Sequence, residues 1–320
     1  MSRLQKILSL ALAAQLLVLL LLGSPWTAGS TPAAKSMLLP ELASFEPSVI
    51  EIEGEQSTLR LDREGQTWRI EAASGYPADA AKVGKLLDDL KQAEVRRPVV
   101  SGARYHAALH VTHEEHERKL RLAGGSGEPS VELFVGTSPN YGINHVRRGD
   151  RDEVYEVKGL SPWDMRPEAS SWIETRLVDV EPDRVRALSL SNAHGAFELR
   201  RGDDGAFTLA SGGSPGAALD GSAVDGFVGS LTGLRMSEPA GRVEGGADHG
   251  LAAPAGRLSL VYDADGVSKT FELAIGGAAE GGDKRYARVA GSEFAVLLGK
   301  WDADRVLDKK LSDLLVAKSP

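Results

Sequence analysis

The chain has 320 residues, of which 42% are hydrophobic and 6% aromatic, and its 45 acidic residues outnumber its 37 basic ones to give a formal net charge of −8. This length leaves room for two domains, and the negative charge argues against nucleic acid as a partner because phosphate repels it. The absence of cysteine excludes disulfide bonds, thiolate metal sites, cysteine catalysis and a lipid-bearing cysteine.

The first 26 residues predict a membrane-targeting segment. Arg3 and Lys6 precede an apolar run from Ile7 to Leu22. A helix of about 20 residues spans the hydrocarbon core of a bilayer, so we expect a cytoplasmic N-terminus at residues 1–6 and a transmembrane anchor at residues 7–26. A cleaved signal peptide is the alternative, because "TAGSTPAA" offers a peptidase small residues after the run. Since the basic residues come first, both interpretations place the bulk of the chain outside the cytoplasm.

Residues 27–44 are rich in Ser, Thr, Pro and Ala, a composition typical of a tether. We therefore expect the folded part of the chain to begin at residue 45. Beyond this point the sequence predicts two tandem repeats, with repeat one at residues 45–180 and repeat two at residues 181–320.

The repeats are seen first in two amphipathic helices. Each of the segments "ADAAKVGKLLDDL" and "LDGSAVDGFVGSL" places four apolar residues on one helix face, with Asp79 and Asp220 as the expected N-caps. The matched apolar residues are Val83, Leu86, Leu87 and Leu90 in the first copy, and Val224, Phe227, Val228 and Leu231 in the second.

Alternating apolar residues predict antiparallel strands on both sides of each helix. The pair Ile50 and Ile52 matches Leu188 and Leu190, "KLRL" (119–122) matches "RLSL" (257–260), and "VELFVG" (131–136) matches "FELAIG" (271–276). We predict an α+β fold of two tandem repeats, each a mostly antiparallel sheet packed against one amphipathic helix. Strands this short leave no room for repeated βαβ crossovers, so we do not expect a doubly wound nucleotide-binding fold.

This order of motifs, from "G-x-x-W-x-I" through "ADAAKV…LLDDL", "LFVG" and "YAR" to "VYEV" and a charged terminal helix, resembles the domain-of-unknown-function family 4340 (DUF4340), once per repeat. The resemblance implies a bacterial inner-membrane protein with one N-terminal membrane helix and a periplasmic bulk. It also implies a role beside an ABC-type export or gliding-motility-like assembly. It carries over no catalytic residues and no cofactor.

The stretch "HAALHVTHEEH", His106 to His116, holds four of the seven histidines and is the obvious candidate metal site. It falls in the connector between the helix and the next hairpin, where the second copy has "DHGLAAPAG" with one histidine. Its H-E-E-H pattern is not the H-E-x-x-H of zinc proteases. We therefore predict a solvated polar connector without metal ligands; a metal site or a pH-sensitive surface are the alternatives.

The loop "GTSPNYGINH" is the best candidate for a functional surface. Its Asn140, Tyr141, Asn144 and His145 are expected at one end of a sheet, where they offer hydrogen-bonding groups to a partner or ligand. The alternative is a hairpin loop that uses Asn and Gly for turn geometry. Two functional hypotheses remain: a non-enzymatic, membrane-anchored accessory protein, or an envelope enzyme or ligand- or glycan-binding protein that uses the loop at 136–145. We find no catalytic constellation.

Overall fold

The computed structural model describes residues 35–95, 98–125, 130–214, 217–243 and 248–316, together with Gln15. Apart from Gln15, the predicted cytoplasmic N-terminus and anchor, residues 1–26, lie outside these described residues. Within the described residues no helix is both long enough and apolar enough to cross a membrane.

The first unit is built on an antiparallel eight-stranded sheet, here called sheet one. Its elements in chain order are β1 (Ser36–Met37), β2 (Val49–Glu53), β3 (Thr58–Glu64), β4 (Thr67–Ile70), β5 (Tyr76–Pro77), α1 (Ala80–Gln92), β6 (Glu94–Val95), β7 (Arg118–Ala123), β8 (Ser130–Val135), β9 (Ile143–Arg148) and β10 (Val154–Lys158). The strand order is β10-β9-β8-β7-β2-β3-β4-β5, and β1 pairs with β6 in a separate ribbon.

The second unit is built on a second antiparallel eight-stranded sheet, sheet two. Its elements are β11 (Val185–Asn192), β12 (Gly195–Arg201), β13 (Phe207–Ser211), α2 (Gly221–Thr232), β14 (Met236–Arg242), β15 (Gly256–Ala264), β16 (Val267–Ala278), β17 (Lys284–Val289), β18 (Phe294–Gly299) and α3 (Lys300–Leu307). The strand order is β13-β12-β11-β15-β16-β17-β18-β14.

The two sheets have the same strand order over most of their width. Followed from its other end, sheet two runs β18-β17-β16-β15-β11-β12-β13, which parallels β10-β9-β8-β7-β2-β3-β4 in sheet one. They differ at the edges, because β5 extends sheet one beyond β4 whereas β14 extends sheet two beyond β18. This architecture fits the predicted α+β fold, since the sheets are antiparallel and the helices are few. The origin of the two units in a tandem repeat stays a prediction.

Both amphipathic helices begin at the predicted N-caps. The Asp79 carboxylate accepts hydrogen bonds from two amides of the first turn of α1, at 2.9 and 3.3 Å, and the Asp220 carboxylate accepts one at 3.1 Å in α2. The backbone amides of these two caps donate to Trp172 O and Leu314 O, at 2.7 and 2.9 Å. Each helix is therefore tied at its start to the short 3-10 helix that closes its own unit.

The buried faces of the two helices differ at one position. Val83, Leu86 and Leu90 of α1 are buried, as are all four predicted residues of α2. Leu87, however, is only partly buried, whereas its sequence match Val228 has no exposed surface. The two matched side chains therefore both face the core but differ in how deeply they are buried.

The N-terminal segment at residues 36–43 is folded, so the predicted tether at 27–44 is wrong over its last residues. Ser36–Met37 pairs with Glu94–Val95, and three leucines are buried in the core: Leu38, Leu39 and Leu42. The buried Arg148 donates to Leu38 O at 3.1 Å and forms an ion pair with Glu41. The hydrogen bond from Arg148 lowers the pKa of the Glu41 carboxyl below its ordinary value. Residues 36–43 thus belong to the folded part, ahead of the expected start at residue 45.

The two units are joined along neighbouring sheet edges. The Tyr76 ring on β5 lies edge-on to Phe294, with centroids 5.0 Å apart, and its hydroxyl lies 3.5 Å from Met236 Sδ. The Leu177 amide donates to Leu234 O at 3.0 Å. A continuous hydrophobic core runs through both units, so each sheet has one core-facing side and an opposite side, its outer face.

Candidate functional site

The four residues predicted as a partner or ligand surface separate into two pairs. Asn140 and Tyr141 are exposed, whereas Asn144 and His145 are only 4% and 9% exposed. The Asn144 amide donates to Leu160 O at 2.7 Å, and His145 Nδ1 lies 2.8 Å from Thr137 Oγ1. Asn144 and His145 therefore hold the loop in place and do not present their side chains to a ligand.

The tip of this loop is a tight turn between β8 and β9. The Ile143 amide donates to Asn140 O at 3.1 Å, the Ser138 hydroxyl donates to Ile143 O at 2.7 Å, and Gly142 has a φ of +72°. A positive φ of this kind favours glycine. Gly142 is thus explained by turn geometry, and the exposed Tyr141 precedes it at the tip of the turn.

A second exposed aromatic residue lies at the same end of sheet one. The Gly159 amide donates to Gly142 O at 3.3 Å, which ties the turn after β10 to the loop. Trp163 follows four residues later and is 75% exposed, with the Arg166 guanidinium 5.2 Å from its ring centroid. We call Asn140, Tyr141 and Trp163 the aromatic end of unit one.

Unit two also has an exposed tryptophan, because Trp301 at the start of α3 is 86% exposed. Tryptophan is highly buried on average, so the residue type alone does not indicate that Trp163 or Trp301 is exposed.

A pocket of about 390 Å³ lies beside Trp163. Lys82 and Lys85 from α1 stand on one side, and Trp172 lies on the other. Both lysines have partners, because Lys82 Nζ donates to Ser171 O at 2.9 Å and Lys85 Nζ contacts Asp89 at 2.6 Å. The pocket therefore adjoins the aromatic end, and it is lined by the Trp172 side chain and by two lysines whose ammonium groups already have partners.

The histidine stretch does not bring its four rings to one point. His106 is buried, with Nε2 2.9 Å from Asp152 O, and His116 Nδ1 lies 3.1 Å from Thr112 O. His110 and His113 lie 3.7 and 3.6 Å from different glutamates. Across the described ranges no group of three or more metal-ligating side chains is placed to hold a metal ion.

The same stretch lies on the outer face of sheet one, where most of its residues are exposed, as expected of a solvated connector, but His106 and Val111 are buried. Val111 and Phe134 have no exposed surface and form a small apolar cluster with Val154. The His113 ring lies edge-on to the Phe134 ring, with centroids 4.8 Å apart. The Arg147 guanidinium lies 4.4 Å from the Phe134 centroid and donates a hydrogen bond to Val111 O. The connector covers one strongly apolar side chain, which the sequence alone did not place on the outer face.

The rest of the outer face of sheet one is filled by long charged side chains. Glu51 accepts hydrogen bonds from Arg60 and, at 2.9 Å, from Arg121 on the two flanking strands. Lys119 lies 3.0 Å from Glu53 and 3.8 Å from Glu132. These cross-strand ion pairs cover the sheet with mutually paired groups.

The outer face of sheet two instead contains a groove of about 770 Å³. Small residues from adjacent strands form its floor: Ser189, Ser191, Ala196, Ser259 and Ala274. Charged residues also line the groove: Glu198, Asp248, Arg257, Glu272 and Arg288. Sequence reasoning missed this groove, because serine at outward strand positions is typical of any solvated sheet face.

Comparison with known proteins found a family model that matches part of the chain. Residues 68–213 match the model described as a domain of unknown function, DUF4340. We call these residues the DUF4340 segment. The predicted resemblance is thereby confirmed for these residues, whereas the presence of two copies is not. No curated protein and no solved structure matches the chain.

The DUF4340 segment runs from Trp68 in β4 to Gly213 just after β13, so it begins in one unit and ends in the other. It contains the whole aromatic end. It contains three of the strands that line the groove, β11, β12 and β13, whereas Arg257 and Arg288 lie outside it. The two candidate surfaces therefore differ in their relation to the family.

Proposed function

We propose that this protein is a non-enzymatic accessory protein that works by binding a protein partner through the aromatic end of unit one. The exposure of Tyr141 and Trp163 at one end of sheet one carries the proposal. Large aromatic side chains are enriched among the residues that dominate binding energy at interfaces. Asn144 and His145 fix the loop beneath them, so the surface is preorganised, which reduces the entropy lost on binding.

The proposed location is the bacterial inner membrane, with residues 7–26 as a single-pass anchor and the bulk of the chain in the periplasm. The support is the order of Arg3, Lys6 and the apolar run that follows them. The proposed partner is a subunit of an ABC-type export or gliding-motility-like assembly. This part of the proposal rests on the resemblance to DUF4340.

We further propose that the folded part arose as two tandem repeats. The support is the matched strand order of the two sheets, together with the matched ties from Asp79 to Trp172 and from Asp220 to Leu314. On this proposal the exposed tryptophans Trp163 and Trp301 are equivalent positions. Only the first lies beside a projecting loop that carries a tyrosine.

The alternative, an envelope enzyme or ligand-binding protein that uses the loop at 136–145, has less support. Two of its four candidate residues are engaged inside the protein, which leaves Asn140 and Tyr141 to contact a small ligand. A projecting turn with one exposed ring suits the surface of a protein partner better than the concave pocket that small ligands occupy.

The test is co-purification of the full-length protein from its native membranes in mild detergent. The double variant Tyr141→Ser, Trp163→Ser should retain at least tenfold less of the co-purifying transporter subunits, because each aromatic anchor of an interface typically contributes about 2 kcal/mol or more. Trp301→Ser is the matched control, since it removes an equally exposed tryptophan from the other unit. Equal retention by the double variant and the wild-type protein would contradict the proposal.

A further inference from the structure

The groove on sheet two is lined by two rows of outward-facing residues that cross adjacent strands in register. The pairing of β12, β11, β15 and β16 brings one row together: Glu198, Ser189, Ser259 and Glu272. The pairing that continues to β17 brings the second row together: Ala196, Ser191, Arg257, Ala274 and Arg288. The centre of the groove therefore presents hydroxyl groups, and its flanks present charges of both signs.

The groove exists because the side chains that fill the same positions in sheet one are short in sheet two. The strand registers place Ser189 and Ser259 where sheet one has Glu51 and Arg121. They also place Ala274 where sheet one has Phe134. Phe134 lies between Lys119 and Arg147 on its two neighbouring strands. Ala274 lies between Arg257 and Arg288 in the same way. Truncation at several neighbouring positions opens one continuous space of about 770 Å³, within the range of small-ligand sites.

The two arginines of the groove are available to a ligand. Arg257 and Arg288 lie on either side of Ala274, about 10 Å apart at the backbone because two strand spacings separate them. Within the part of the chain that the structure describes, neither forms an ion pair, and Arg288 uses only its Nε, which donates to Ser292 O at 2.9 Å. Arg147, the counterpart of Arg288 in sheet one, instead donates to three backbone carbonyls.

The acidic residues restrict what anion the arginines would accept. Glu272 is exposed and, in the described ranges, has no cationic partner, while Glu198 accepts from Arg200 at 2.7 Å. The third acidic residue of the lining, Asp248, accepts from the backbone amides of Gly250 and Ala252 at 3.0 and 2.8 Å. An ionised carboxylate only accepts hydrogen bonds, so a ligand such as phosphate, which offers few donors, would be repelled from that side. A serine hydroxyl both donates and accepts, which suits ligand hydroxyl groups. The groove therefore fits a ligand that has a carboxylate and several hydroxyl groups.

We infer that the groove on sheet two binds an acidic saccharide, a sugar chain that contains uronic acid. The sugar carboxylate lies between Arg257 and Arg288, which offer the planar donors that match a carboxylate. The sugar hydroxyls donate to Glu272 and Glu198 and exchange hydrogen bonds with the three serines. This site is separate from the aromatic end, so its failure would leave the proposed partner binding untouched.

The test is titration calorimetry of the full-length, detergent-solubilised protein with trigalacturonate. We expect trigalacturonate to bind at least tenfold more tightly than the neutral maltotriose, inorganic phosphate or the zwitterionic peptide triglycine. Tighter binding of triglycine or phosphate, equal binding of maltotriose, or no heat with trigalacturonate at millimolar concentration would each overturn the inference.

Variants locate the site. Arg257→Gln and Arg288→Gln should each weaken trigalacturonate binding at least tenfold, and the double substitution Ser259→Arg, Ala274→Phe should abolish it by restoring the bulk found in sheet one. Arg121→Gln is the matched control, because it removes an arginine from the outer face of the other sheet. Unchanged binding by the two Gln variants, whose substitutions are accessible and should not disturb folding, would overturn the inference even if the double substitution misfolds.

Discussion

The outer faces of the two sheets share a strand order but carry different chemistry. On sheet one, Glu51 and Lys119 belong to a set of cross-strand ion pairs, and Phe134 is covered by the connector that holds the histidines. On sheet two, serines and Ala274 occupy the corresponding places and leave a groove. The core faces of both sheets are constrained by packing against their helices, whereas the outer faces are free to diverge. Differences in function between the units are therefore expected on the outer faces.

The largest expected effect comes from removing the ring that closes the outer face of sheet one. Phe134→Ala should lower the free energy of unfolding by about 3–5 kcal/mol, because it leaves a cavity beneath the connector and strips Val111 of its contact. Ala274→Phe, the reverse exchange in sheet two, should change it by less than about 1 kcal/mol, since the added ring enters open groove space. Urea denaturation of the full-length protein, followed by tryptophan fluorescence, measures both values.

The comparison between the faces would fail if the two substitutions had similar effects. A small loss for Phe134→Ala would mean that the connector is not held by this ring. A large loss for Ala274→Phe would mean that the groove is closed in solution. Leu133→Ala, on the core face of the same strand, serves as a reference for a fully buried side chain.

The sequence predicted the parts of the structure that depend on local periodicity. The alternation of Ile50 with Ile52 and of Leu188 with Leu190 predicted strands, and Asp79 and Asp220 were predicted as the residues that cap the helices. These features follow from short-range patterns, since the side-chain direction repeats every two residues in a strand and every 3.6 in a helix.

The features that the sequence did not predict depend on residues far apart in the chain. Leu38 and Leu39 lie in a Pro- and Ala-rich stretch, yet both are buried, and the Leu38 carbonyl accepts from Arg148, 110 positions away. The groove likewise depends on which residues of six strands become neighbours. Asn144 was judged by its polarity as a surface residue, although its amide is needed to satisfy the buried carbonyl of Leu160.

The second prediction concerns the N-terminal segment that unit one has and unit two lacks. Sheet two has Val289 at the register position of Arg148. Arg148→Met should lower the free energy of unfolding at pH 7 by about 2–3 kcal/mol, less than the roughly 3–5 kcal/mol of a fully buried pair because the Glu41 side chain is 29% exposed. The corresponding variant Val289→Ala tests the same position without any charged partner, and it should not alter the pH dependence.

The effect of Arg148→Met on the free energy of unfolding should depend on pH. The Arg148 hydrogen bond holds the pKa of Glu41 below its ordinary value of 4.5, and Arg148 also lowers the pKa of Asp150. A carboxyl with a depressed pKa stabilises the fold above its ordinary pKa, and the contribution is lost as the pH falls through the folded-state value. The wild-type protein should therefore lose more stability than Arg148→Met between about pH 5 and pH 2. Parallel curves of unfolding free energy against pH would show that the pair does not form.

The smallest expected effects are those of Val228→Ala on α2 and Leu87→Ala on α1, which compare the packing of the two helices. Val228 on α2 has no exposed surface, so Val228→Ala should lower the free energy of unfolding by about 2 kcal/mol, the transfer of two buried carbons plus a cavity. Leu87 on α1 is larger but only partly buried, and Leu87→Ala should lower it by about 1 kcal/mol because water fills the vacated space. The order is opposite to that expected from side-chain size. Denaturation midpoints that place Leu87→Ala below Val228→Ala would mean that α1 turns further toward its sheet and that the two helices pack alike after all.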